Sequence, residues 1–254
     1  MANPLYGSNK LDKEVNQDYG ILGADGGEFN FGSLPQVGSS IGLTGAIARH
    51  DYDDGLRLLV NNIGTQTTTS PITTAVGMDY SYGNTNNLGV QWALADPLAK
   101  EYHSSGPRID RYVVGSDAFY AELIVSIADV SGADEFAFGF RKVEAFQAAI
   151  DDYDEMAAFN TISAVINMET ILNNGTTTTT DSTETDWADG ATHTLKVLVS
   201  SAGVVTYKYD GSAPSAVASF TFDDGEVLTP FFFYLNDSDV AGTVVMQKFK
   251  HGRQ

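Results

Sequence analysis

Cysteine is absent from all 254 residues, which excludes disulfide stapling and thiolate metal sites. Basic residues are scarce: 14 Lys and Arg stand against 33 Asp and Glu, a formal net charge of −19 and a pI near 4.3. Such a field repels phosphate backbones, so nucleic acid is not an expected partner. No apolar run approaches the ~20 residues a membrane helix needs, and no membrane partner is expected either. The opening Met-Ala-Asn-Pro-Leu-Tyr-Gly-Ser-Asn-Lys lacks a basic stretch followed by an apolar core, so synthesis in a cytoplasm is the expectation. Catalytic signatures are missing as well: there is no G-x-S-x-G, no P-loop and no G-x-G-x-x-G. The four histidines, His50, His103, His193 and His251, include no two at a spacing that would build a metal site on one element. Sandwich glycosidases need two facing carboxylates, and their pattern E-x-D-x-x-E does not occur. Its nearest approach, Glu184-Thr-Asp-Trp-Ala-Asp, ends in Asp and runs into a glycine turn. With no catalytic residue to name, the chain is expected not to be an enzyme.

What is present is β-structure. Phe119, Ala121, Leu123, Val125 and Ile127 alternate with Tyr120, Glu122, Ile124 and Ser126, the period of a strand with one buried face. Phe136, Phe138 and Phe140 alternate with Ala137 and Gly139, where the glycine permits close backbone approach. Tyr80, Tyr82, Val90 and Trp92 mark two shorter strands, and Asn173-Asn-Gly is a hairpin turn signal. Leu195, Val197 and Val199 face away from Thr194, Lys196 and Leu198, and the pattern repeats at Val205, Tyr207 and Tyr209. Phe231 to Leu235 is continuously apolar, as in a strand buried on both sides. The expected fold is all-β: an antiparallel two-sheet jelly-roll sandwich over residues 51–254, preceded by an extended Gly- and Asn-rich arm over 1–50. One short helix is predicted at Val143 to Tyr153, where Val143, Phe146, Ala149 and Ile150 keep a helical spacing.

Three groups of oxygen-bearing side chains invite a calcium reading: Asp51, Asp53 and Asp54; Asp151, Asp152, Asp154 and Glu155; and Asn236, Asp237 and Asp239. None reproduces the D-x-D-x-D-G…E loop, and all fall where turns are expected, so no cofactor is assigned and calcium stays an alternative. Trp92 and Trp187 could stack on a sugar ring or serve as buried indoles at a sandwich end. The Thr-rich stretches at Thr67 to Ser70 and Thr176 to Thr180 read as polar edges that could pair with a neighbour or resist pairing.

The segment D-G-A-T-H-T-L-K-V-L-V-S-S-A-G-V-V-T-Y-K-Y-D-G, residues 189–211, resembles the concanavalin-like and laminin-G-like jelly rolls. Three further blocks, at 1–10, 118–142 and 236–249, resemble virion structural proteins of marine tailed bacteriophages that decorate or cement a capsid. That resemblance implies a non-enzymatic capsid decoration protein, made in the host cytoplasm and placed on the capsid exterior. It would bind the major capsid protein of the same virus, as a homotrimer. The alternative is a lectin-like glycan-binding module using Trp92 and Trp187, and a sandwich glycoside hydrolase comes last.

Overall fold

A computed structural model describes residues 26–30, 59–63, 72–73, 78–83, 88–93, 112–116, 118–236 and 242–254. Its strands begin with β1 (Gly26–Asn30), β2 (Leu59–Ile63), β3 (Ile72–Thr73), β4 (Met78–Gly83), β5 (Leu88–Ala93) and β6 (Tyr112–Val113). The central ones are β7 (Phe119–Ile127), β8 (Ala133–Lys142), β9 (Met156–Ile162), β10 (Val165–Ile171) and β11 (Thr178–Asp181). The last four are β12 (Thr192–Val199), β13 (Val205–Tyr209), β14 (Val227–Asn236) and β15 (Gly242–Arg253). They form two antiparallel sheets. The seven-stranded sheet runs β13-β12-β7-β15-β4-β3, with β1 also on β15. The eight-stranded sheet runs β11-β10-β9-β8-β14-β5-β2, with β6 also on β14. The chain is a jelly-roll β-sandwich.

Burial follows the alternation in the sequence. On β7 every odd residue from Phe119 to Ile127 is buried and every even one is half-buried. The inner faces meet in one core that includes Phe136, Phe138, Phe140, Phe232, Tyr234, Val244, Met246 and Phe249. On β14 all nine residues from Leu228 to Asn236 are buried, as the unbroken apolar run implied. Gly139 is required by packing, because a Cβ there would collide with the Ala157 carbonyl oxygen on the neighbouring strand. The Asn173-Asn-Gly turn also forms: Asn173 and Asn174 take φ of 51° and 57°, and the Gly175 amide donates to the Leu172 carbonyl.

The expected helix at 143–153 does not form. The segment is an irregular strap between β8 and β9, with a single 3₁₀ turn at Ile150–Asp152. Its backbone groups are committed elsewhere. The Val143 amide donates to the Val227 carbonyl, the Glu144 carbonyl accepts from Arg141, and the Gln147 carbonyl accepts from Gln91. With these groups satisfied across the sheet, the i to i−4 ladder of a helix has lost its partners. The helical spacing of Phe146 and Ile150 instead reflects two side chains that pack on the same sheet. Part of the expected arm, β1, is a sheet strand paired with β15, and the rest of 1–50 lies outside the described residues.

Candidate functional site

The two tryptophans do not face a ligand. Trp92 is fully buried between the sheets, stacked on Phe232 at 5.7 Å and tilted against Phe249 at 4.6 Å, and its indole N–H donates to Met246 Sδ at 3.1 Å. Trp187 is 2% exposed, edge-on to Phe136, with its N–H on the Ala191 carbonyl. Both are core residues, the second of the two roles that the sequence left open for them, and a buried indole offers no ring face to a sugar in this arrangement.

The acidic clusters also resolve into local roles. Asp51, Asp53, Asp54, Asp237 and Asp239 lie outside the described residues. Asp151 and Asp152 are exposed, while Glu155 is buried. Burial, reinforced by the charge of Glu226 and opposed by Lys142, pushes the Glu155 carboxyl up to about 7. Among the described residues no three His, Asp or Glu side chains are placed to hold a metal. In the 184–189 stretch, Glu184 accepts from the Ser215 amide and hydroxyl, and Asp189 accepts from the Val130 amide. These carboxylates tie loops together. His193 stacks on Tyr209 at 4.7 Å and pairs with Asp210 at 2.7 Å, closing the β12–β13 hairpin. His251 is buried, held neutral by burial at a pKa of about 3, and shares a 2.5 Å hydrogen bond with the Tyr112 hydroxyl.

The surfaces left to consider are the outer faces of the sheets. On the eight-stranded sheet the outward Ala93, Ala137, Met156, Ala158, Ile171, Phe231, Phe233 and Leu235 are buried. The 143–155 strap lies on them through Phe146, Ile150 and Tyr153. Arg141 anchors the strap: its Nη1 donates to the carbonyls of Lys142 and Glu144, both at 2.9 Å, and its guanidinium lies 4.7 Å from the Tyr153 ring centroid. The Tyr153 hydroxyl donates to Gln91 Oε1 at 2.6 Å and the Ile150 amide to Glu135 Oε2 at 2.9 Å. This face is occupied by the chain itself.

The outer face of the seven-stranded sheet is different. Among the described elements none packs on it, and its outward side chains on β7 and on β12 from Thr194 on are half-buried. The registers set Lys208, Lys196, Glu122 and Lys250 directly opposite one another in a row across β13, β12, β7 and β15. The Glu122 carboxylate bridges two ammonium groups, Lys196 at 3.1 Å and Lys250 at 3.4 Å. Lys196 also sits 4.3 Å from the centroid of the Tyr120 ring. The next row reads Thr206, Leu198, Tyr120, Gly252 and Gly26, so beyond Tyr120 two positions present backbone alone. Sequence reasoning registered Tyr120, Glu122, Lys196 and Leu198 as outward strand positions but did not bring them together. The available signal was a set of outward lysines in a chain of net charge −19.

No family model and no curated protein matches the sequence. Solved structures do. The carbohydrate recognition domain of Emp46p in its potassium-bound form is similar, with TM-score 0.52 and 9% identity, over 77% of this chain and 88% of that domain. A protein of unknown function from Shewanella oneidensis MR-1 is similar with TM-score 0.51 and 9% identity, over 99% of this chain and 96% of the other. This chain has a lectin-type jelly-roll fold. At such identities the likeness establishes the fold and transfers no residue.

Proposed function

We propose that the chain is a glycan-binding module that holds a sugar chain on the outer face of its seven-stranded sheet and leaves it chemically unchanged. The supporting observation is the sandwich it shares with a carbohydrate recognition domain. A fold hosts many functions, so the reading turns on this chain's own surface. There the half-buried Tyr120 offers an outward aromatic ring beside the ammonium of Lys196, a surface on which a sugar ring could stack. Thr194, Ser126 and Thr206 supply outward hydroxyls on the same sheet.

Attachment to a capsid exterior rests on sequence blocks whose described parts are β7, β8 and β15. Much of that material is buried, and buried residues set the fold and not the partner. Screening the full chain on an array of neutral and acidic glycans tests the proposal. Binding that falls roughly tenfold in Tyr120→Ala, about 1.4 kcal/mol, is expected. Silence across the array overturns it.

A further inference from the structure

The geometry points to an acidic polysaccharide, bearing carboxylate or sulfate groups, as the ligand of this face, bound across the strands by Lys208, Lys196, Lys250 and Lys248. The inference rests on the glycan-binding reading and names the substrate class.

Four of the chain's 14 Lys and Arg lie on this one sheet face, Lys196, Lys208, Lys248 and Lys250, although acids outnumber bases more than two to one overall. On the described side chains of that face Glu122 is the opposing acid, and it is already shared between Lys196 and Lys250. The β13 edge of the row therefore sets the ammonium of Lys208 directly opposite Lys196, whose carboxylate partner Glu122 lies on the other side. Like charges in that position repel and destabilise a sheet. Lys208 is exposed on β13, the edge strand of the sheet, and the residue directly across from it is another lysine.

A ligand anion resolves this arrangement. Strands about 4.8 Å apart make the Lys208-to-Lys250 row about 14 Å long, a span for several sugar rings laid across the sheet. Carboxylate or sulfate groups repeated along such a chain would meet Lys208 and Lys196 first, then Lys250, with Lys248 in the adjacent row. Charge-assisted hydrogen bonds to ammonium groups are the strong kind, whereas a neutral glycan would leave the lysine repulsion unrelieved. The overall −19 charge repels any polyanion at a distance, so attachment would be confined to the local surplus on this face.

The test uses the full chain and four probes by calorimetric titration: polygalacturonate, dextran sulfate, neutral dextran, and a single-stranded oligonucleotide. Polygalacturonate, dextran sulfate or both should bind, and the pair distinguishes carboxylate from sulfate as the anion read. Lys208→Glu with Lys250→Glu should weaken that binding at least tenfold. Lys208→Glu alone, which leaves the Glu122 bridges intact, should weaken it severalfold. Lys142→Gln, a lysine off this face, should leave it unchanged, and added salt should weaken the wild-type complex. Acidic-glycan binding that survives both lysine variants overturns the inference. So does neutral dextran bound as tightly, or an oligonucleotide bound as tightly, which would mean capture of any polyanion. Neutral binding alone sinks this inference and keeps the glycan-binding reading, whereas silence with all glycans sinks both.

Discussion

On the outer face of the eight-stranded sheet, Phe231, Phe233 and Leu235 are capped by Phe146, Ile150 and Tyr153 from the chain's own strap. On the outer face of the seven-stranded sheet, outward positions carry Tyr120, Lys196 and Lys250 with no described element above them. The difference lies in which residues fill the outward phase of the same two-residue period. Where the outward phase is apolar, leaving it in water would forfeit about 1.5–3 kcal/mol per large side chain, and a strap that covers it is favoured despite its ordering entropy. Where the outward phase is charged, covering it would desolvate ammonium groups, and no described element lies on it.

The sharpest way to break this comparison is to truncate one side chain on each face. Phe233→Ala should cost about 3–5 kcal/mol by urea unfolding, because it opens a cavity under the strap. Leu198→Ala, half-buried on the open face, should cost about 1 kcal/mol or less. Equal costs would mean that both faces are covered in solution and that the contrast is wrong.

Next in size is the strap's anchor. Arg141 is fully buried, donates to the Lys142 carbonyl at the end of β8 and the Glu144 carbonyl of the strap, and lies over Phe146, Tyr153 and Phe231. Arg141→Ala should cost about 2–4 kcal/mol through lost packing and unmade hydrogen bonds. Hydrogen exchange should speed at residues 143–155 while β7 and β12 keep their protection. Uniform loosening of both sheets would show that the strap is part of the global core.

At the foot of the strap, Glu155 sharpens the contrast through pH. Burial first, with Glu226 and Asp223 adding to it against Lys142, lifts its carboxyl from 4.5 to about 7. The folded chain therefore holds a proton that the unfolded chain has released, and stability falls as pH rises from about 4.5 through about 7. The loss is on the order of 2 kcal/mol. Glu155→Gln should remove that decline, read from urea midpoints at about pH 5 and about pH 8. His251 works in the opposite sense: neutral in the fold, it lowers stability as acid protonates the unfolded chain below about 6.5, so the difference between variant and parent isolates Glu155. A parallel pH profile in the two proteins would show Glu155 ionised in the fold.

Much of the sandwich was legible from residues alone, because the period of two at Phe119–Ile127 and the doubly apolar run of β14 encode which faces are buried. The strap was misread because Phe146 and Ile150 satisfy a helical spacing, while the hydrogen bonds that decide the matter come from Gln91 and Arg141 on other strands. The hairpin turn at Ser163-Ala164 carried no turn signal, although both residues take positive φ, 49° and 70°. The Ala164 carbonyl there is held by the Trp187 amide, a partner distant in sequence. The lysine row was invisible for the same reason. Lys250 and Lys196 meet at Glu122 through the registers of three strands, and register is a property of the assembled sheet.

The smallest expected effect bears most directly on why the open face is built as it is. Lys208 and Lys196 lie directly opposite, a juxtaposition that costs a few tenths of a kcal/mol with no ligand present. Lys208→Glu places a carboxylate opposite Lys196 and should raise stability by about 0.5 kcal/mol, seen as a higher urea midpoint at unchanged slope. The same substitution should weaken acidic-glycan binding, so stability and binding would move in opposite directions at one position. A surface that carries this repulsion when empty gains more from a bound anion than one without it. If Lys208→Glu leaves the midpoint unchanged, the two ammonium groups are screened by water and the row carries no stored repulsion for a ligand to relieve.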